Sequence, residues 1–168
     1  MVAKSDMSYE FASLIRELRN SPDDIALRQT VVKQLPEMKV LANDNALALF
    51  RLAQIYSPTS TQYKQMMRES ANKGCTNAML ALCELLLKTN SAADLKTAAH
   101  YMTKIEYSND SFMIKSGELL LENNPQLASE IESQSKKIET RYMGRFFHQP
   151  LEKNQTEGSD LESSFSVS

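Results

Sequence analysis

Apolar residues return every three or four positions along most of this chain, and short polar stops interrupt them. Across residues 7–19, Tyr9, Phe11, Leu14, Ile15 and Leu18 mark one face of a helix. Ser21-Pro22-Asp23-Asp24 reads as the next start, with a capping serine, a proline in the first turn and two acids at the positive helix end. Ile25, Leu27, Val31, Val32 and Leu35 carry a second helix that Pro36 ends or bends. Asn43-Asp44 opens a third, ALALFRLAQIY, which stops at Ser57-Pro58. Helices follow over 61–73, closed by Gly74, and over 76–88. Asn90-Ser91 caps the next, over 92–106, and Ser108-Asn109-Asp110 resets the chain for 111–122. Asn124-Pro125 then launches the longest segment, 126–147. Its stripe of Leu127, Ile131, Ile138, Tyr142 and Phe146 is narrow for a helix packed deep in a core.

Two of these helices repeat one phrase. Residues 79–90 read MLALCELLLKTN and residues 113–124 read MIKSGELLLENN, with Glu84 and Glu118 34 positions apart. A period in the thirties in a helical chain predicts stacked helix pairs, each too thin to bury its apolar face alone. The expected fold is all-α, a short α-solenoid of antiparallel helix pairs with a long C-terminal helix. Small residues in the repeat let helices approach, and the leucines and aromatics fill the seam.

The pairs resemble Sel1-like repeats, relatives of the tetratricopeptide repeat (TPR). One helix of that family carries an A-x-x-x-L-[GA]-x-x-Y pattern, and its partner ends in A-A-x-x-G. Ala48, Leu52, Ala53 and Tyr56 match the first pattern, while Ser70, Ala71 and Gly74 match the second. Ala78, Leu82, Cys83 and Leu86 repeat the first. DLKTAAHYMTKI then resembles the family's second helix through Asp94, Ala98, Tyr101, Met102 and Lys104. The third unit keeps only Met113, Gly117, Leu119 and Leu120. Ser57-Pro58-Thr59-Ser60 replaces the family's glycine-rich loop, and the match spans about residues 44–122. The resemblance implies a protein-interaction scaffold.

Composition agrees with a helical core. Hydrophobic residues make up 42% of the 168 and charged residues 24%, with only four glycines and five prolines. Residues 1–150 read as one helical domain. The segment 151–168, polar, acidic and ending in serines, reads as a disordered tail. The net charge of −2 leaves no basic face for nucleic acid. Lys136, Lys137, Arg141 and Arg145 are interspersed with Glu130, Glu132 and Glu139 and form a solvated face. No apolar run reaches the roughly 20 residues that span a bilayer. The residues at the start lack the apolar core of a secretory signal, so synthesis in a cytosol is expected. Cys75 and Cys83, about 12 Å apart in helical rise, are too distant for a disulfide and are expected as reduced, buried thiols.

Candidate chemistry is sparse. Cys75 follows Gly74 at a helix start, where the dipole can lower a thiol's pKa; His100 and His148 are the only histidine bases. His100 has no second ligand three or four positions away, and the glycines stand too far apart for a phosphate loop. The expectation is therefore no catalytic residue, no cofactor and no metal. The alternative is a small enzyme of unrecognised type using Cys75 or His100.

The tail resembles those of proteins exported by the Dot/Icm type IV system. Glu152, Glu157, Asp160 and Glu162 precede Ser163, Ser164, Phe165 and Ser166. This resemblance implies a bacterial effector, made in the bacterial cytoplasm and secreted into a host cell. It would bind another effector or a host protein and regulate that partner, by inhibition foremost. The candidate partner-binding residues are Tyr142, Arg145, Phe146 and Phe147, which a three-unit stack does not need; capping the stack would also explain them. Self-association into a homodimer through 126–147 is a further reading. Neither nucleic acid nor membrane is an expected partner.

Overall fold

The structure, a computed structural model, describes the backbone of residues 4–147 and the side chains of residues 7–143. Eight α-helices and no strand occur among the described residues: α1 (Lys4–Asn20), α2 (Ile25–Asp44), α3 (Ala46–Ala53), α4 (Thr61–Asn72), α5 (Thr76–Leu87), α6 (Ala92–Glu106), α7 (Ser111–Glu122) and α8 (Pro125–Phe147). The fold is all-α. The chain divides into two units, Met1–Gln134 and Ser135–Ser168. The tail 151–168 lies outside the described residues.

Local chemistry sets most helix ends. Ser60, Ser91 and Asp110 accept backbone N–H bonds into the first turns of α4, α6 and α7, filling donors that a helix start leaves unpaired. Gly74 closes α4 with φ +96°. Its N–H bonds the Ala71 carbonyl and the Cys75 N–H bonds the Ser70 carbonyl, the two-bond Schellman closure. An added Cβ on Gly74 meets nothing within 4 Å, so its replacement is opposed by backbone strain alone. Gly74→Ala is expected to cost about 1–2 kcal/mol in a urea melt. A melt unchanged from wild type would show that the turn gives up its left-handed residue.

The α2 boundaries differ from the sequence expectation in three ways. Its cap is Asp24, whose Oδ1 accepts from the Leu27 N–H at 3.0 Å, whereas Ser21-Pro22-Asp23 forms the turn before it. Pro36 lies inside the helix and neither ends it nor starts a loop. Proline denies the Val32 carbonyl its donor, but both residues face solvent, where water serves that oxygen. Val31 before Pro36, and Met38 and Ala42 after it, are all buried, and this packing carries the helix through. At the far end the single residue Asn45 caps α3, its side chain accepting from Ala48 N–H at 3.0 Å. Asn43 and Asp44 therefore belong to α2. Helix α3 is also shorter than expected. After Ala53, the N–H groups of Gln54, Ile55 and Tyr56 each bond three residues back, tightening the chain out of the helix.

Within the first unit each helix touches its chain neighbour from α1 to α7, and α1–α3, α3–α5 and α5–α7 also touch. The odd helices thus lie side by side in a row. Helices α4 and α6 also meet, the Tyr101 hydroxyl donating to Asn72 Oδ1 at 3.5 Å. Two buried clusters meet at α3: Phe11, Ile15, Val31, Met38, Ala48 and Leu52 on one side, Ala53, Met67, Met79, Leu82 and the α6 residues on the other. Buried Ser70 hydrogen-bonds the Ala46 carbonyl at 2.6 Å, fixing α4 to the start of α3.

Candidate interaction surfaces

The long last helix changes character along its length. Leu127, in its first turn, is fully buried in the core, and Ile131 is partly buried against the same cluster. Gln134 donates to the Lys96 carbonyl of α6 at 3.2 Å. The later stripe residues are solvent-facing: Ile138, Tyr142 (64% exposed) and the adjacent Met143. Tyr142, the sequence-predicted contact residue, is therefore accessible. Arg145, Phe146 and Phe147 continue the α8 backbone, and their side chains lie outside the described residues, as does His148.

A second exposed surface emerges from the repeat itself. Thr76 and Asp110, one period apart, hydrogen-bond at 2.9 Å, so equivalent helix starts stand next to each other. The other Asp110 oxygen accepts from the Met113 N–H at 3.0 Å and caps α7. Moving from α5 to α7 by one period replaces Ala78 with Phe112, Leu82 with Ser116 and Cys83 with Gly117. Ala78, Leu82 and Cys83 are all buried. Gly117 is also buried, and an added Cβ there would come within 2.9 Å of the Met102 methyl group of α6. Phe112 is instead 74% exposed, and Leu119, seven residues on, is 53% exposed.

Row position explains the difference. Helix α5 has odd neighbours on both sides, α3 and α7, whereas α7 has only α5. Phe112 and Leu119, seven residues apart, lie on one exposed side of α7. The last odd helix thus carries an aromatic and a leucine on its exposed side. The repeat frame includes Leu119 and leaves Phe112 out. The available signal was the change from a small residue to a large one at position 112 of the second copy.

The candidate nucleophile and base sit in unlike environments. Cys75 is buried at the start of α5, and its side chain makes no capping bond. His100 is exposed on α6, its ring 6.0 Å from that of neighbouring Tyr101. Cys83 donates to the Ala98 carbonyl at 3.4 Å, and burial pushes its thiol up to about 12. Both cysteines are free thiols. No cluster of three or more His, Cys, Asp or Glu side chains suited to a metal occurs among the described residues. No helix among them is long and apolar enough to cross a membrane.

The raised Cys83 value has a thermodynamic consequence. The folded state holds this proton more tightly than the unfolded chain, so stability is fully present below the ordinary value of 9.0. It declines as pH rises from there toward about 12. Alkylation of Cys83 at pH 8 is accordingly expected to track global unfolding. Modification of the folded protein at the rate of an open peptide thiol would contradict the burial.

An apolar groove of about 580 Å³ is bounded by α1, α2 and the turn after α3. Ile15, Val31 and Ile55 contribute its apolar wall; Arg19, Arg28 and Tyr56 also line it. Arg19 Nη2 donates to the Gln54 carbonyl at 2.7 Å and to Gln54 Oε1 at 3.2 Å, which fixes one guanidinium at the groove. Compared with protein-family models, curated proteins and solved structures, the chain matches none.

Proposed function

We propose that this chain is a non-enzymatic protein–protein interaction module: a short α-solenoid of Sel1-like, TPR-like antiparallel helix pairs. In this reading it is a bacterial secreted effector that binds another effector enzyme or a host protein and restrains it. The observation that carries the proposal is the exposed pair Phe112 and Leu119 on α7, the last odd helix of the row. The exposed stripe Ile138, Tyr142 and Met143 on α8 adds a second apolar surface. Aromatic side chains supply much contact area for little conformational entropy, which makes Phe112 and Tyr142 the chief anchors. The buried Cys75 and the exposed His100 support a scaffold over a nucleophile–base pair.

A photo-crosslinking amino acid placed at 112, 119 or 142 tests the contact. The expected result is capture of one common protein from these positions and not from exposed Arg68 on α4. Equal capture at all four positions, or none at any, sinks the interface. The captured protein's activity should fall when the full chain is added, and Cys75→Ala and His100→Ala should inhibit as well as wild type. Export is tested separately, with a reporter fused to the chain in bacteria having an active or a disabled Dot/Icm system. Equal transfer by both strains removes the effector reading.

A further inference from the structure

We propose that the groove between α1, α2 and the turn after α3 docks a partner segment in which an apolar side chain is flanked by carboxylates. The groove's volume, about 580 Å³, falls within the roughly 300–1,000 Å³ of ordinary ligand pockets. Its lining is apolar except for a few polar groups, and the only charged residues in it are Arg19 and Arg28. An apolar wall with two guanidinium groups and no carboxylate complements an acidic, apolar segment and opposes a basic one.

The two arginines play different parts. Arg19 is already held by both hydrogen bonds to Gln54, so little side-chain freedom is lost when an anion reaches it. Arg28 faces Asp23 at 3.9 Å in a well-exposed pair. Exposed pairs of this kind are weak, so a partner carboxylate exchanges readily for Asp23. Planar guanidinium groups engage carboxylates through two parallel bonds, giving the docked segment an orientation as well as charge compensation. Tyr56 supplies an aromatic surface for the apolar side chain. The groove is thus a peptide-sized subsite whose specificity comes from charge sign plus one apolar anchor.

This proposal deepens the interaction-module reading and needs it only for its biological setting, because the groove is tested without the partner. The probe is a fluorescent peptide, Glu-Asp-Leu-Phe-Asp-Glu with blocked ends, titrated with the full chain. Controls replace its four acids by lysine, or its Leu-Phe by Gly-Ser. Saturable binding of the first peptide alone is expected, with methyl NMR shifts at Ile15, Val31 and Ile55. Arg28→Glu, at an exposed site away from the Gln54 contact, should weaken binding about tenfold or more, one decade being about 1.4 kcal/mol. Arg19→Gln should do the same, with only a small drop in the melting curve from the lost Gln54 bonds. No binding up to millimolar chain, equal binding of the lysine peptide, or unmoved methyl signals would each overturn the groove assignment. Loss of crosslinking at position 112 leaves these results standing, so the two readings fail separately.

Discussion

Phe11→Ala is expected to lower the free energy of unfolding by about 3–5 kcal/mol, among the largest losses for any single truncation in this chain. Phe11 is fully buried at the centre of the cluster that joins α1 to α2 and α3, among Ile15, Val31, Met38 and Leu52. Truncation removes the ring's transfer free energy and leaves a hole that α1 fills only by moving. Polar contacts add to this seat: Arg51 hydrogen-bonds Ser8 and lies over the Tyr9 ring, and Arg19 bonds Gln54. Ser8 is itself buried, whereas the Tyr9 and Arg19 contacts are exposed and add about 1 kcal/mol or less each. Hydrogen exchange should therefore show α1 and α2 losing protection before α5 and α6. A loss under about 1 kcal/mol in a urea melt would mean that the cluster repacks around the missing ring.

The consequence reaches function, because the groove shares its walls with this cluster. Ile15 and Val31 belong to both, so the α1 seat that Phe11 secures also shapes the site assigned to an acidic, apolar segment. Phe11→Ala should weaken peptide binding along with stability. Arg28→Glu should weaken binding with stability unchanged. That contrast separates a damaged frame from a removed contact.

The parts of the fold legible in the sequence are those set by residues within one turn of each other. Ser91 and Asp110 announce α6 and α7, and the observed starts at Ala92 and Ser111 are the expected ones. Gly74 likewise closes α4 where its left-handed preference predicts. Pro36 misleads for the opposite reason. Its local rule is sound, but burial of Val31, Met38 and Ala42 on α2 outweighs it. The end of α3 misleads similarly, since the apolar spacing through Tyr56 continues while the hydrogen bonds have already tightened.

Surface assignments were less legible, because exposure depends on which helices stand next to one another. Leu127, Ile131, Ile138 and Tyr142 form one stripe in the sequence, yet its first residue is core and its last two are solvent-facing. Leu119 carries the same letter as Leu85 one period earlier and is more exposed, on a helix with one odd neighbour where α5 has two. Nothing within either phrase encodes that difference. It follows from where the row stops.

Leu127→Ala provides the sharpest test of the junction between frame and last helix, with an expected loss of about 2–5 kcal/mol. Leu127 is fully buried in the cluster built from α4 to α7, although its neighbours Gln126 and Ala128 face solvent. Other local ties are modest: the Leu127 N–H bonds the Asn124 carbonyl at 2.9 Å, and Asn124 Nδ2 bonds the Leu120 carbonyl at 2.8 Å. One side chain thus carries most of the apolar attachment at the start of α8, with Ile131 a half-buried second. Leu127→Met, nearly equal in volume, should cost under about 1.5 kcal/mol and separate shape from volume. If Tyr142 engages a partner from a seated helix, Leu127→Ala should also reduce crosslinking at 142 while leaving that at 112 in place. Undiminished capture at 142 in a variant that has lost the expected stability would mean that the partner orders this helix itself.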